Sequence, residues 1–211
     1  MVNPSRFHNV VVGLDFDNTI VSYDSVLNKY AFELGYIQNK NCSKAYIRNA
    51  IRQLHNGEMK WQHLQAIIYG EKINYAVLFD GVDSFFRSCK RNHLEVYIVS
   101  HKTEFSSLPR CKINLRKPAM EWLRNHCFFE NDGFGLRKNQ VFFESTRHQK
   151  IQRIKQLGCT HFIDDLIETF QDHRFPPNVK KILFSPKDRN HHDGLITAQS
   201  WKEINRLFFD G

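Results

Sequence analysis

The stretch VVVGLDFDNTIVS, residues 10–22, decides the fold of this chain. It begins with three valines, as a buried strand does, and then places Asp15 and Asp17 on either side of Phe16. Residues two apart in a strand point the same way, so the two carboxylates are expected to share one side as the chain leaves the strand. Two acids at the end of an apolar run repel each other and resist burial. Their presence indicates that chemistry takes place at this strand end.

The composition is that of a globular protein with one domain, or one domain and a modest insertion. The 211 residues are 41% hydrophobic and carry a net charge of +8, which favours anionic partners such as phosphate esters. The five cysteines are odd in number and form no CxxC pair, so neither a disulfide framework nor a structural zinc site is expected. The absence of an apolar signal core and of a membrane-length segment predicts a soluble, cytoplasmic protein.

Short apolar strand candidates alternate with amphipathic helical stretches along the chain. The strand candidates are NVVVGLDF (9–16), LEVYIVS (94–100), VFFE (141–144), HFIDD (161–165) and VKKILFS (179–185). Helical patterns cover residues 81–92, 118–126, 147–157 and 199–209, whereas 186–194 has the composition of a loop. Apolar strands separated by helices are typical of an α/β fold with a doubly wound, mostly parallel sheet.

Residues 21–79 interrupt this alternation. Their apolar residues fall at helical spacing and form no convincing strand. The pattern predicts several helices, one of them ending at Gly57 and the next at Gly70. We therefore expect a helical insertion at 21–79 and an α/β core formed by residues 1–20 and 80–211.

Polar side chains follow four of the predicted strands, at the edge of the sheet where open α/β folds bind their ligands. They are Asp15, Asp17, Asn18, Thr19, Ser100, His101, Lys102, Lys150, Asp164 and Asp165, with Glu168 one turn later. Several carboxylates at one edge repel each other, and a divalent cation relieves the repulsion. Hard oxygen ligands suit Mg²⁺, which binds a few carboxylates, water and a substrate phosphate. Ser100 and Lys150 are suited to phosphoryl oxygens.

Taken in order, DFDNT (15–19), the strand-end Ser100, Lys150 and the pair Asp164–Asp165 resemble the four motifs of the haloacid dehalogenase (HAD) superfamily. The resemblance covers nearly the whole chain, and residues 21–79 resemble a small C1-type helical cap. It implies that Asp15 is the nucleophile and a metal ligand. It implies that Asp17 is the general acid and base, with its backbone carbonyl on Mg²⁺. Ser100, and also Thr19, would hold the phosphoryl group, and Lys150 would stabilise the charges.

Two assignments stay open at this point. Asp165 is expected to bind the metal directly, with Asp164 as its neighbour or as a water-mediated ligand. In the alternative, Asp164 is the ligand and Glu168 is the second acid. Asn18, Thr19, His101 and Lys102 are candidate substrate-binding residues, and His101 and Lys102 would contact the leaving group unless they form an exposed loop pair.

The position of Asp17 favours a phosphatase, because a phosphate monoester needs an acid to protonate its leaving group. A helical cap excludes water and favours small phosphorylated metabolites, such as sugar phosphates or nucleotides. A HAD-type protein phosphatase, a phosphomutase and a phospho-ligand-binding module without turnover are the alternatives. The sequence contains no recognisable nucleic-acid reader, so no nucleic-acid partner is expected.

Overall fold

A computed structural model of the protein describes Phe7 and residues 9–108, 112–187 and 192–210. The strands are β1 Val11–Leu14, β2 Val21–Ser22, β3 Val77–Leu78, β4 Glu95–His101, β5 Val141–Glu144, β6 His161–Asp164, β7 Lys180–Phe184 and β8 Ile196–Ala198. The α-helices are α1 Asp24–Glu33, α2 Lys44–Arg52, α3 Gly57–Tyr69, α4 Val82–Arg91, α5 Arg116–Asn125, α6 Arg147–Gln156, α7 Ile167–Gln171 and α8 Trp201–Phe209. Two short 3₁₀ helices cover Ile73–Tyr75 and Lys138–Gln140.

Six strands form one sheet in the order β5-β4-β1-β6-β7-β8, and every neighbouring pair is parallel. This confirms the predicted α/β class and the doubly wound sheet. The chain proceeds from β1 to β4 and β5 in one direction, and then returns to the other side of β1 for β6, β7 and β8. The strand order therefore reverses between β1 and β6, which is where sheets of this kind form their binding crevice.

Both faces of the sheet are covered by apolar side chains. Phe162 of β6 belongs to a buried cluster with Ile151 and Ile154 of α6. Its neighbour His161 points to the opposite face, since side chains alternate along a strand, and its ring lies 4.9 Å from that of Phe208. On that face α8 packs on α4, where the rings of Phe208 and Phe85 are 5.4 Å apart. Burial on both sides explains why the strands are apolar without strict alternation.

The structure differs from the sequence-based prediction in several short elements. The three-residue strand β8 and the five-residue helix α7 were not predicted, because neither is long enough to show a period. Strands β2 and β3, at the two ends of the predicted insertion, pair with each other although no strand was expected there. Of the predicted loop 186–194, residues 188–191 lie outside the described ranges.

The prediction that Gly57 ends a helix was wrong. Helix α2 ends at Arg52, and Gly57 is the first residue of α3. A side chain at Gly57 would meet the backbone oxygen of Ile51 at 2.4 Å, so glycine is required for the close approach of the two helices. Gly70, in contrast, follows the last residue of α3 as predicted.

The chain divides into two compact units. The first comprises residues 1–21, 78–102 and 126–211 and contains the parallel sheet. The second comprises residues 22–77 together with 103–125, although 103–125 had been assigned to the core from sequence. Within the second unit, Leu108 and Ile113 pack on Ala66 of α3, and the indole nitrogen of Trp122 donates to the carbonyl oxygen of Ala76 at 3.1 Å. Among the described residues, no helix is both long enough and apolar enough to span a membrane.

Candidate active site

The reversal of strand order brings two aspartates together. Leu14 is in register with Ile163, and the backbone amide of Asp15 donates to the carbonyl oxygen of Ile163 at 2.8 Å. Asp15 and Asp164, which come next on β1 and β6, therefore lie side by side at the carboxyl edge of the sheet. Both are buried, with Asp15 5% and Asp164 0% exposed. Two carboxylates in this position require positive charge close by.

Lys150 supplies part of that charge. Its ammonium donates to Asp15 Oδ1 at 2.5 Å and to Asp164 Oδ2 at 2.7 Å. Lys150 lies in the first turn of helix α6. The Thr146 hydroxyl caps this helix by accepting a hydrogen bond from the Gln149 amide at 3.1 Å. The Lys150 side chain is only 2% exposed, so its ammonium cannot exchange these partners for water.

Burial and charge set the proton affinities of these groups. Burial raises the pKa of Asp15 to about 7; the Asp164 carboxylate adds to this effect and the Lys150 ammonium opposes it. For Lys150, burial alone would lower the pKa, but the two carboxylates outweigh burial and hold its pKa above the usual value. Lys150 therefore stays protonated. Asp15 needs further positive charge nearby if it is to be fully ionised at neutral pH.

A third carboxylate completes an acidic cluster. Oxygen atoms of Asp15, Asp164 and Asp165 all lie within 4.8 Å of one another. Each can offer one hard oxygen ligand, and Asp165 is the least buried of the three. Glu168, the alternative second acid, is exposed and is not a member of this cluster.

The charges of the site fit a divalent cation. Three carboxylates, those of Asp15, Asp164 and Asp165, converge here, and burial raises the pKa of Asp15 although the Lys150 ammonium contacts it. The three clustered carboxylates would hold such a cation, and their oxygen chemistry is that preferred by Mg²⁺. The residues present therefore fit a hard dication at this position.

The carboxylate of Asp17 stands apart from the acidic cluster. Lys102 donates to both of its oxygens, at 3.0 Å to Oδ1 and 2.7 Å to Oδ2. Lys102 is 4% exposed, so it is not the exposed loop residue that was one alternative from sequence. His101 does lie at the surface, with Nε2 3.1 Å from the carbonyl oxygen of Ser145.

Thr19 and Asn18 shape the loop that carries the two aspartates. The buried Thr19 hydroxyl accepts from the Asp165 amide at 3.1 Å and donates to Asp165 Oδ1 at a long 3.4 Å. It thereby ties the loop after β1 to the loop after β6. Asn18 has a φ of 60°, a left-handed conformation that asparagine tolerates better than most residues, and its amide donates to the Val21 carbonyl at 2.9 Å.

Ser100 is the penultimate residue of β4 and lies at the same edge of the sheet. Its side chain is buried, at 1% exposure, one strand away from Asp15. No described residue forms a hydrogen bond with its hydroxyl, which leaves that group available to a phosphoryl oxygen.

The ion pair between Lys102 and Asp17 was not foreseen from the sequence. A signal was present, because Ser100 and Lys102 are two residues apart at the end of β4 and continue its alternation. That spacing indicates that Lys102 follows Ser100 towards the site. It does not indicate which of the four aspartates receives the ammonium.

Comparison with known proteins shows which solved structures have a similar fold. No protein-family model and no curated protein matches the sequence. A HAD family hydrolase from Deinococcus radiodurans R1, with bound phosphate and sodium, is similar in structure, with a TM-score of 0.62 and 12% identity over 96% of this chain and 95% of that one. The haloacid dehalogenase-like protein SP0104 from Streptococcus pneumoniae has a TM-score of 0.58 and 15% identity, over 95% of this chain and 99% of that one.

The HAD-hydrolase YfnB from Bacillus subtilis, bound to magnesium, gives a TM-score of 0.55 and 12% identity, over 95% of this chain and 98% of that one. All three similarities extend over nearly the full length of both chains, and they agree with the resemblance of the four sequence motifs. The chain therefore has the fold of the HAD-superfamily hydrolases.

Proposed function

We propose that the protein is a Mg²⁺-dependent phosphomonoester hydrolase that acts through an aspartyl phosphate on Asp15. The observation that carries this proposal is the cluster of Asp15, Asp164 and Asp165 at the switch point of the sheet, where the Lys150 ammonium contacts Asp15 and Asp164. The convergence of three carboxylates, one of them with a pKa raised by burial, suits a dication and then an anionic phosphoryl group. The magnesium and the phosphate bound by two structural neighbours are consistent with this chemistry.

The nucleophile would be the Asp15 carboxylate. One of its oxygens attacks phosphorus, the bond from phosphorus to the ester oxygen breaks, and Asp17 gives its proton to the departing oxygen. Water then attacks the phosphorus of the aspartyl phosphate, Asp17 takes the proton from that water, and phosphate leaves with Asp15 restored. A bound Mg²⁺ would supply charge neutralisation of the phosphoryl oxygens and of the attacking carboxylate.

Several neighbours would serve this reaction. Lys150 holds Asp15 in place and offsets charge as phosphate approaches. The buried Ser100 hydroxyl is available to donate to a phosphoryl oxygen. Thr19, assigned to the phosphoryl group by resemblance, also fixes Asp165. Asn18 and the surface residue His101 remain candidates for contacts with the substrate.

We infer that residues 21–79 act as a cap that selects a small phosphorylated metabolite, such as a sugar phosphate or nucleotide. The charge distribution supports an anionic ligand for the second unit. Residues 22–77 and 103–125 contain 12 Lys+Arg and 6 Asp+Glu, a net charge of +6 out of +8 for the chain.

The test is phosphate release from p-nitrophenyl phosphate and from a panel of sugar phosphates and nucleotides, with Mg²⁺ and with a chelator. The wild type should turn over in Mg²⁺ only. Asp15→Asn should lose turnover, since an amide is not a nucleophile, whereas Lys155→Met, an exposed lysine on the same helix as Lys150, should behave as wild type. Beryllium fluoride should form an adduct on Asp15. Turnover by Asp15→Asn, or turnover without metal, would contradict the proposal.

A further inference from the structure

Lys102 is a buried cation whose partner is Asp17. Its backbone amide donates to the Glu144 carbonyl at 2.8 Å, which continues the pairing of β4 with β5 one residue beyond the strand. The ammonium of its side chain lies 5.7 Å from the centroid of the Phe16 ring. A lysine in such surroundings is costly unless it is paired.

The contact fixes the orientation of the Asp17 carboxylate. A single donor would leave the carboxylate free to rotate about its last side-chain bond, but Lys102 donates to both oxygens, at 3.0 and 2.7 Å. Each carboxylate oxygen has two lone pairs, so Asp17 can keep Lys102 and still exchange a proton with another group.

Exposure separates the roles of the two residues. The Asp17 side chain is 20% exposed and that of Lys102 only 2%. A ligand that enters the site therefore meets the carboxylate, whereas the ammonium is covered. From its position after Ser100, Lys102 is expected to touch the substrate. Its burial instead places it to act through Asp17.

We propose that Lys102 is a positioning residue, which aims the Asp17 carboxylate at the leaving-group oxygen and then at the attacking water. This inference rests on the proposed phosphatase function. It has a specific consequence, because proton donation matters most when the leaving oxygen is a poor one. An alkyl alkoxide needs the proton as the ester bond breaks, whereas p-nitrophenolate departs without it. Loss of Lys102 should therefore slow alkyl phosphates more than p-nitrophenyl phosphate.

The experiment compares kcat and KM for p-nitrophenyl phosphate and for the best alkyl phosphate among the sugar phosphates, both in saturating Mg²⁺. In Lys102→Met, kcat/KM for the alkyl substrate should fall about 100-fold and kcat/KM for p-nitrophenyl phosphate less than about tenfold, because kcat/KM reports the departure of the leaving group and not the hydrolysis of the shared aspartyl phosphate. Lys102→Gln, which keeps one donor, should recover part of the difference and serves if the methionine variant does not fold. Lys155→Met should leave both rates unchanged.

A double variant shows whether Lys102 works through Asp17. In the Asp17→Asn background, Lys102→Met should no longer change the ratio of alkyl to aryl rates. Equal losses of kcat/KM on both substrates, or an undiminished effect in that background, would overturn the positioning role alone. Absence of Mg²⁺-dependent turnover by the wild type on every substrate would overturn the proposed function, and this inference with it.

Discussion

The ammonium of Lys150 lies between the carboxylates of Asp15 and Asp164, 2.5 Å from one and 2.7 Å from the other. All three side chains are at least nine-tenths buried, so the arrangement has the character of an internal ion cluster. Such a cluster couples the stability of the fold to the chemistry of the site.

Replacing Lys150 with methionine should destabilise the metal-free protein by about 3 kcal/mol, because two buried carboxylates then face each other without compensation. Urea unfolding at neutral pH measures the effect. Lys155→Met, the same exchange at an exposed position of α6, should change the free energy of unfolding by less than about 0.5 kcal/mol. Equal stability of the two variants would show that the Lys150 cluster contributes nothing to folding.

If the proposed function is right, Mg²⁺ should stabilise the wild type, because the ion would bind the folded acidic cluster and not the unfolded chain. At about 100 times its dissociation constant, the gain in unfolding free energy is ~2.7 kcal/mol. Thermal unfolding against Mg²⁺ concentration measures it. Asp165→Asn should abolish most of the gain, and Glu168→Gln should preserve it, because Glu168 lies outside the cluster. Loss of the gain in Glu168→Gln, with the gain preserved in Asp165→Asn, would indicate that Glu168 and not Asp165 binds the metal.

His161 predicts a pH dependence of stability that is independent of the metal. Burial, with a smaller effect of Lys180, lowers its pKa to about 4 in the folded protein. As the pH falls, the unfolded chain binds the proton near the usual value, while the folded chain stays neutral until about pH 4. The stabilising effect is therefore present at pH 7 and is lost between about pH 6.5 and 4.

The control for this prediction is the variant His161→Phe, which keeps an aromatic ring against Phe208 and removes the titrating imidazole. The free energy of unfolding of the wild type should fall relative to the variant as the pH drops through that window. A difference between the two proteins that is constant with pH would show that His161 does not titrate in this way.

Gly13 should resist substitution because of Phe162 in the neighbouring strand. A side chain at Gly13 would meet Phe162 Cδ2 at 2.5 Å and Cε2 at 2.8 Å, with Cys159 Sγ at 3.0 Å. Gly13→Ala should therefore cost about 2 kcal/mol through overpacking. Phe162→Leu frees the same space, so the double variant should be more stable than the sum of the single losses predicts. Strict additivity in denaturant unfolding would contradict this steric account.

Much of the fold and the carboxyl edge could be predicted because their signals are local. Each of the five predicted strands is a short apolar run, and a parallel sheet brings the ends of such runs to one edge. That reasoning is enough to bring Asp15 and Asp164 together. The pairing of Lys102 with Asp17 joins side chains 85 residues apart, and no pattern specifies it.

The inclusion of residues 103–125 in the second unit could not be predicted for another reason. Residues 103–115 have neither a helical nor a strand period, yet Leu108, Ile113 and Leu115 pack on α3. Their apolar character shows that they are buried somewhere, but the partner surface is set by tertiary structure. The same holds for Gly57, whose role depends on the backbone of α2 and not on the end of a helix.

The central position of β1 has a consequence for biosynthesis. The strand is made first, but it pairs with β4 on one edge and β6 on the other, and the contact from the Val11 amide to the Thr160 hydroxyl spans 149 residues. During translation one edge of an apolar strand stays open until β6 has left the ribosome, which favours slow folding and recruitment of chaperones. The emerging polypeptide thus carries Asp15, the proposed nucleophile, long before Lys150 and Asp164, which lie beside it in the folded protein, have been synthesised.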